Sequence, residues 1–268
     1  MKTRAITAFF FVAVMLASLF LGAYAFTFFF LLLSLFSTEE FYKLVRADGL
    51  KPNSLCGWIL VISIYVPLSL YFLKEAPLSI LLICVPFFVL VIIAELYRDL
   101  KNPFHNIAYT ILGVIFAALP FCFFYALGFM NGEYSWRLPL AFLIMLWASD
   151  TGAYLFGISL GKNRLFERHS PKKSWEGFAG GLLCSMLSGF TLSIYFTELS
   201  LFHWLIVSAI IVSSGTLGDL SESMLKRSLS TKDSGSFLPR HGGLLDRFDG
   251  LLLAAPLVFV YLSFVKIF

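Results

Sequence analysis

The sequence has few charged residues and no paired cysteine motif. Asp, Glu, Lys and Arg make up 13% of the 268 residues and hydrophobic residues make up 59%, whereas charged residues are about 25% of a soluble domain. Cys56, Cys84, Cys122 and Cys184 lie far apart, in or beside apolar segments, and form no C-x-x-C pair. The sequence therefore indicates neither a zinc site nor a disulfide framework. Its composition excludes an ordinary soluble protein and favours a polytopic membrane protein.

Further absences narrow the function classes. The sequence has no internal repeat and no low-complexity segment. Gly161-Lys162-Asn163 is not a Walker loop, because no Ser or Thr follows the lysine and the glycine spacing is wrong. The 31 Phe residues are most simply explained as lipid-facing and packing surface. We therefore predict no nucleic-acid partner.

Apolar segments of membrane-spanning length occupy most of the chain. A helix needs about 20 mainly apolar residues to cross a bilayer. Nine segments meet or approach this length, and the first two form a short pair bent near Gly22. Their ranges are 5–20, 23–36, 56–73, 78–97, 107–128, 138–157, 177–196, 202–221 and 250–266. The sequence predicts an all-α, polytopic transmembrane helical bundle of about nine spans, with N-terminal helices over 1–136 and motif-carrying C-terminal helices over 137–268.

Two glycine pairs have the spacing of closely packed membrane helices. Gly157 and Gly161, like Gly177 and Gly181, follow a G-x-x-x-G pattern. Because glycine has no side chain, this pattern lets two helix backbones approach each other closely. We therefore expect close helix packing on both sides of the polar loop between 161 and 177.

The distribution of positive charge predicts the orientation in the membrane. Lys2, Arg4 and an apolar run before Ala23-Tyr24-Ala25 resemble a signal peptide, but the apolar run continues to Phe36, which favours an uncleaved anchor. With nine spans, 17 Lys and Arg lie on the amino-terminal side and three on the other. The positive-inside rule places the richer side in the cytoplasm. Fusing the first two segments into one span would leave both large basic loops cytoplasmic, where nucleotides are.

The stretch from Gly218 to Gly250 concentrates charge in this charge-poor chain. It holds five of the 20 Lys and Arg residues and five of the 16 Asp and Glu residues. On a helix, Asp219, Glu222 or Ser223, and Lys226 would share one face, because they are spaced by three or four and by seven residues.

Two further acids, Asp246 and Asp249, are three residues apart and can share a face where the last span begins. Oxygen ligands from two or three carboxylates, completed by water and substrate phosphate, suit a hard cation such as magnesium. The sequence therefore predicts a metal site here. A monovalent cation such as potassium could occupy part of so acidic a cluster.

Basic residues and glycines surround these acids. They are Lys226, Arg227, Lys232, Arg240, His241, Arg247, Gly235, Gly242 and Gly243. Cationic side chains beside a carboxylate metal site are typical of polyphosphate binding. We expect His241 to hydrogen-bond phosphate; metal ligation or a general-base role is the alternative.

Two features upstream add to the predicted site. Asp150 lies in an apolar run, where a carboxylate usually faces the bundle interior and marks a functional site; a structural hydrogen bond is the alternative. Lys172, Lys173 and Ser174 lie just before a helix and offer two cations, a hydroxyl and backbone N–H groups to a phosphate. Anchoring of a cytoplasmic loop is the alternative explanation for these lysines.

At these residues the sequence resembles the phosphatidate cytidylyltransferase family, also called CDP-diacylglycerol synthases. The family pattern is filled over 27 residues, with no departure, by Ser223, Lys226-Arg227, Lys232-Asp233, Gly235, Leu238-Pro239, His241-Gly242-Gly243, Asp246-Arg247 and Asp249. The resemblance extends upstream through Asp219 and Ser170–Gly177 to Asp150. The first half of the chain matches only as hydrophobic spans.

The resemblance implies a reaction and roles for the site residues. A nucleotidyltransferase of this family joins CTP and phosphatidate to give CDP-diacylglycerol and pyrophosphate, requires magnesium, and is a multi-span, homodimeric enzyme of the bacterial cell inner membrane. On this basis the catalytic residues are Asp219, Lys226, Arg227, Asp246 and Asp249, and the metal ligands are Asp219, Asp246 and Asp249. The substrate-binding residues are Lys172, Lys173, Ser174, Ser223, Lys232, His241 and Arg247.

Two other functions remain open from the sequence. A secondary transporter could use Asp150, Asp219 and Asp249 as cation or proton sites, although transporter sites lie near the bilayer midplane and are usually built from internal repeats. A related enzyme could act on another lipid, such as an ether lipid, or could be a lipid kinase. The sequence does not identify the cytosine-binding residues, the acyl-chain preference or the dimer surface.

Overall fold

A computed structural model describes residues 2–168, 170–229 and 243–267 of the chain. Its α-helices are α1 (Lys2–Phe20), α2 (Ala23–Ala47), α3 (Ser54–Lys74), α4 (Cys84–Leu96), α5 (Pro103–Gly113), α6 (Leu119–Leu127), α7 (Arg137–Leu160), α8 (Trp175–Tyr195), α9 (Leu201–Ser228) and α10 (Leu245–Ile267). A 3₁₀ helix, Leu78–Ile83, leads into α4, and a π-helical turn, Val114–Ala118, joins α5 to α6. The predicted helical fold class is confirmed.

Within the described residues, seven helical segments are long and apolar enough to cross a membrane. They are Ser54–Lys74, Leu78–Leu96, Pro103–Leu127, Arg137–Leu160, Trp175–Tyr195, Leu201–Ser228 and Leu245–Val265. The first two predicted spans are not among them: α1 contains only the shorter apolar segment Phe9–Phe20, and α2 continues past residue 36 to Ala47. The multi-pass character is confirmed, and the count of nine stays a prediction.

The predicted bend near Gly22 is confirmed. Gly22 has φ 99° and ψ 178° and separates α1 from α2. This positive φ is readily adopted only by glycine, so the chain can leave one helix and start the next within two residues. All four cysteines are free.

One short sheet departs from the all-α prediction. Strand β1 (Arg164–Phe166) pairs with strand β2 (Ser170–Ser174) in an antiparallel hairpin between α7 and α8, with Arg164 opposite Ser174 and Phe166 opposite Ser170. Strands of three and five residues are too short to produce a clear alternating pattern in the sequence. The hairpin nevertheless matters, because β2 carries Lys172 and Lys173.

The chain divides into two compact units. The first comprises Met1–Tyr134 and Ser228–Arg247, and the second comprises Ser135–Arg227 and Phe248–Phe268. In the first unit, aromatic side chains pack α2 against α6: Phe26 stacks on Tyr125 with ring centroids 5.6 Å apart, and Phe30 stacks on Phe124 at 4.9 Å. Such pairs contribute about 0.5–1.5 kcal/mol each beyond the burial of their area. Part of the phenylalanine content is therefore internal packing.

A buried polar layer fastens several elements of the first unit. Glu95 Oε1 accepts a hydrogen bond from Asn106 Nδ2 at 2.7 Å, and Glu95 Oε2 accepts one from Arg98 Nη1 at 2.7 Å. Asn106 Oδ1 in turn accepts from the backbone N–H of Lys51 at 3.0 Å. Since Glu95 and Asn106 are buried, these bonds replace lost hydration and tie α4, α5 and the α2–α3 connection together.

In the second unit, small residues bring α7 and α8 together, as the glycine spacing indicated. A Cβ atom built on Gly152 would lie 2.6 Å from the Gly180 carbonyl oxygen, one on Gly177 would lie 2.9 Å from the Ala153 oxygen, and one on Gly181 would lie 2.9 Å from the Ser149 oxygen. Any larger residue at these positions would push the two backbones apart. The close pairing holds the α7–α8 hairpin in place at its polar end.

We predict that Asn106→Ala lowers the stability of the first unit. The change leaves a Glu95 oxygen and the Lys51 N–H without their Asn106 partner, at a cost of about 1–3 kcal/mol for a buried polar group. The midpoint of thermal unfolding in detergent should fall. His105→Ala, at the exposed neighbouring position, is the control and should leave the midpoint unchanged; equal midpoints for both variants would contradict the assigned role of the polar layer.

Candidate active site

The site in the second unit depends on close contact between α9 and α10. A Cβ atom on Gly218 would collide with the carbonyl oxygen of Asp249, and a Cβ atom on Gly250 would lie 3.8 Å from the Cα atom of Gly215. The two backbones can meet at Gly218 only because this position carries no side chain. Asp219 and Asp249 follow and precede two of these glycines in the sequence, so the same contact brings the two carboxylates together.

Three carboxylates converge at this contact. One oxygen each of Asp219, Glu222 and Asp249 lies within 4.8 Å of the others. Glu222 is 1% exposed, whereas Asp219 and Asp249 are partly exposed. Asp219, Glu222 and Lys226 lie along one face of α9, and the structure brings Asp219 and Asp249 together. Glu222 was not among the predicted metal ligands; its i+3 spacing from Asp219 is the signal that could have identified it.

Two lysines neutralise part of this negative charge. Lys173 Nζ lies 2.5 Å from Asp219 Oδ2 and also donates to the carbonyl oxygen of Thr216 at 3.4 Å. Lys226 Nζ lies 2.8 Å from Glu222 Oε2. Thus both lysines, predicted to bind substrate or act in catalysis, contact acids of the cluster. Lys173 remains partly accessible, with 25% of its side chain exposed.

Hydrogen bonds orient the two aspartates. Ser223 Oγ donates to Asp219 Oδ1 at 3.3 Å, and the backbone N–H of Gly250 donates to Asp249 Oδ1 at 2.6 Å. Each aspartate therefore has one oxygen held by a neutral donor. Ser223, predicted to contact substrate, lies one helical turn from Asp219 and supports its carboxylate.

Asp150 belongs to the same electrostatic cluster. It lies on α7 with its side chain exposed and interacts electrostatically with Lys173, Asp219 and Asp249. The sequence marked Asp150 as a candidate without assigning it a role. Its position adds a further negative charge near Lys173, which strengthens the electrostatic field around the lysine.

The β-hairpin and the start of α8 position Lys173. Ser174 Oγ accepts from the backbone N–H of Gly177 at 3.1 Å and so caps α8. Glu176 accepts from Asn163 Nδ2 at 2.7 Å and from the backbone N–H of Lys162 at 3.1 Å. Lys172 is exposed on β2. Ser174, which is buried, thus organises the helix start next to Lys173, and Glu176 holds the chain that enters the hairpin.

The remaining predicted site residues are not part of this cluster in the structure, or they lie outside the residues that the structure describes. Asp246, on the first turn of α10 in the first unit, accepts from the backbone N–H of Gly243 through Oδ2 at 3.1 Å. Arg227 and Arg247 are exposed. Lys232 and His241 fall in the part of the chain that the structure does not describe, as do Asp233, Gly235, Leu238, Pro239, Arg240 and Gly242.

The donor set of the cluster fits a hard divalent cation. Magnesium and calcium are bound by oxygen ligands, and magnesium usually keeps several waters while taking one or two carboxylates and substrate phosphates. Asp219, Glu222 and Asp249 supply carboxylate oxygens at close range, and the two lysines limit their mutual repulsion. The arrangement can hold a cation and present positive charge to phosphate groups.

Comparisons with known proteins agree with this chemistry. A family model described as "Cytidylyltransferase family" matches residues 2–265, a range that includes all three clustered acids. A protein of Staphylococcus haemolyticus named "Phosphatidate cytidylyltransferase" is 33% identical over 265 residues, covering 98% of this chain and 99% of the relative. Proteins of the same name from Staphylococcus aureus strain COL and Staphylococcus epidermidis strain ATCC 12228 are 40% and 42% identical over 161 residues, about 60% of each relative.

We predict that Gly218→Ala disrupts the α9–α10 contact, whereas Gly215→Ala does not. The added methyl of Gly218→Ala would meet the Asp249 backbone, and overpacking of this kind costs about 1–3 kcal/mol. A Cβ atom on Gly215 meets its nearest neighbour, Leu146 Cδ1, at an ordinary 3.4 Å. Thermal unfolding in detergent should show a lower midpoint for the first variant only. Equal midpoints would contradict the described contact.

Proposed function

The chain belongs to the cytidylyltransferase family, and we propose that it transfers the cytidylyl group of CTP to phosphatidate, forming CDP-diacylglycerol for phospholipid biosynthesis and releasing pyrophosphate. One observation carries the proposal: three carboxylates and two lysines meet on elements within the segment matched to this family. The relatives named for this activity supply the choice of substrates. A membrane-embedded chain suits a substrate that is itself a membrane lipid.

In the proposed site, Asp219, Glu222 and Asp249 would hold a magnesium ion; Asp246 stays a metal ligand proposed from the sequence pattern alone. The oxygen-only donor set and the 4.8 Å spacing support this assignment. When bound, magnesium supplies positive charge against the phosphate oxygens of the substrates. A monovalent cation such as potassium in part of the same cluster also stays a proposal.

The reaction itself needs alignment and charge neutralisation more than a strong base. A phosphate oxygen of phosphatidate attacks the α-phosphorus of CTP and forms a new P–O bond. The bond between the α-phosphorus and the oxygen bridging to the β-phosphate breaks, and pyrophosphate leaves with the electron pair. Because the phosphomonoester is already anionic near neutral pH, its orientation and the screening of negative charge dominate catalysis.

Basic side chains of the chain provide the phosphate contacts in this proposal. Lys173 and Lys226 already lie at the acidic cluster, so phosphate oxygens that enter it would meet both ammonium groups. Ser223 lies beside them on α9. The other proposed contacts are Lys172, Ser174, Arg227, Lys232, His241 and Arg247.

The proposed setting is the cytoplasmic face of a bacterial cell inner membrane. Seven span-capable helices among the described residues support a multi-pass protein. The excess of Lys and Arg in the loops around the site supports a cytoplasmic location for the catalytic loops and the amino terminus. Phosphatidate would reach the site from the bilayer with its phosphate at headgroup depth. A homodimer is retained as a proposal from the family resemblance.

Pyrophosphate release tests the function. Purified protein in detergent is supplied with phosphatidate, magnesium and CTP, ATP, GTP or UTP in turn. We expect release with CTP only, and only when phosphatidate is present. Asp249→Asn should lower the rate by about 100-fold, the usual effect of removing one preorganised charge-stabilising group.

Glu133→Gln is the matched control for Asp249→Asn. It makes the same kind of change at an exposed position after α6 and should keep wild-type turnover. A folded sample that releases no pyrophosphate with any nucleotide would refute the cytidylyltransferase activity and direct attention to ion flux in vesicles, the test of the transporter alternative. Normal turnover and magnesium dependence in Asp249→Asn would refute the metal assignment alone.

Lys173→Met provides a separate test of phosphate binding. Loss of the ammonium group at Asp219 removes a positive charge from the site, so we expect kcat/KM for CTP to fall by about 100-fold. Lys162→Met, in the exposed loop before β1, should leave kcat/KM unchanged. A wild-type kcat/KM in Lys173→Met would show that this lysine only balances the charge of Asp219.

A further inference from the structure

Glu40 contacts the start of the helix that carries two of the proposed metal ligands. It lies on α2, 204 positions before Leu244, and only 4% of it is exposed. Glu40 Oε2 accepts a hydrogen bond from the backbone N–H of Leu244 at 2.7 Å, and Oε1 accepts one from the backbone N–H of Leu245 at 3.0 Å. One buried carboxylate thus binds two consecutive amides where α10 begins.

These amides are the ones that a helix cannot satisfy by itself. The first N–H groups of an α-helix lack intrahelical acceptors and carry the positive end of the helix dipole. A local Ser, Thr, Asp or Asn usually supplies the acceptor, but the residue before α10 is Leu244. Since Leu244 and Leu245 are 1% and 0% exposed, bulk solvent does not reach these amides. Glu40 therefore acts as a cap supplied by a distant helix.

Asp246 shares this capping arrangement. Its Oδ2 accepts from the backbone N–H of Gly243 at 3.1 Å, so three consecutive amides, from residues 243 to 245, are divided between Asp246 and Glu40. The position of α10 at its first turn, and with it the orientation of the Asp246 carboxylate, depends on both acids. Asp249 lies one turn further along the same uninterrupted helix.

We propose that Glu40 is a positioning residue for the reaction: its carboxylate fixes the first turn of α10 and, with it, the orientation of Asp246, a metal ligand proposed from the sequence. This inference rests on the proposed function. Glu40 itself contacts backbone amides and acts through the helix start. Residues that orient metal ligands typically change metal affinity or activity by about 10- to 100-fold when replaced, and we assign Glu40 an effect of that size.

The test is magnesium-dependent pyrophosphate release by Glu40→Gln in the full-length chain, with CTP and phosphatidate. The glutamine keeps the size and one carbonyl acceptor of Glu40, but its NH₂ group would face the second backbone N–H. We expect the magnesium concentration for half-maximal rate to rise by about 10-fold. The matched control is Glu39→Gln, the same change one residue earlier, where the carboxylate pairs with Arg46 at 3.1 Å. It should retain the wild-type magnesium response.

The readouts separate positioning from plain stability. A purely structural cap would lower the unfolding midpoint or the yield of folded enzyme while leaving the magnesium and CTP dependence of the folded fraction unchanged, and that result would overturn the proposal. Direct Mn²⁺ binding, followed by electron paramagnetic resonance, should show the same weakening in Glu40→Gln without any turnover. Unchanged Mn²⁺ affinity in a folded sample would overturn it as well.

Two measurements on the wild-type enzyme cover the remaining outcomes. If Glu40→Gln does not fold, hydrogen exchange of the wild-type protein decides: protected amides at residues 244 and 245 support the cap, and rapid exchange there overturns it. Pyrophosphate release by the wild type without any divalent cation would refute the proposed metal site, and the role of Glu40 with it. Magnesium-dependent wild-type turnover with an unaffected Glu40→Gln would refute the role of Glu40 only.

Discussion

Burial of carboxylates in a chain with little charge is the constraint on which much of this structure depends. Among the described residues, three acidic residues are buried as a whole, Glu40, Glu95 and Glu222. An ionised carboxylate without partners is costly in an apolar environment. Each of the three meets donors from another part of the chain or from the next helical turn. Glu95 binds Asn106 and Arg98, Glu222 binds Lys226, and Glu40 binds two backbone amides.

These three acids have different consequences for the molecule. The bonds of Glu95 join α4, α5 and the α2–α3 connection, which stabilises the first unit. Glu222 adds a buried negative charge to the cluster formed with Asp219 and Asp249. Glu40 orders the first turn of α10. The acids with a structural role and the acids of the site are therefore stabilised by the same kinds of hydrogen bond and ion pair. Their positions in the fold decide which role each one has.

Close backbone approach is the second requirement of the site. Carboxylates on different helices can come together only if the helix backbones are close. Glycine permits such a close approach because it has no side chain. Gly218 permits the contact between α9 and α10, and Gly152, Gly177, Gly180 and Gly181 permit the contact between α7 and α8. The α7–α8 pair ends in the hairpin that delivers Lys173 to Asp219. Helix packing and charge pairing thus support each other within the second unit.

Local patterns in the sequence determined most of the fold and part of the site. The lengths of the apolar runs predicted the helical membrane-spanning segments. Helical spacing placed Asp219, Glu222, Ser223 and Lys226 on one face. Both predictions succeed from sequence because they depend only on residues that are close together in the chain. The short β-hairpin was missed, since strands of three and five residues leave almost no pattern. The second predicted segment also differs from the observed helix. Helix α2 continues beyond residue 36 through polar residues, several of which are buried in the structure.

Contacts between distant parts of the chain were decided only by the tertiary structure. Nothing near Glu40 in the sequence indicates that it caps a helix 204 residues later. Likewise, nothing near Lys173 indicates that its ammonium group pairs with Asp219 instead of being hydrated at the surface. Such pairings depend on which helices pack together, a property of the whole chain. The sequence by itself determined which residues could do the chemistry; the packing of α7 to α10 decided which of them meet, because carboxylates and cations interact strongly only at short range.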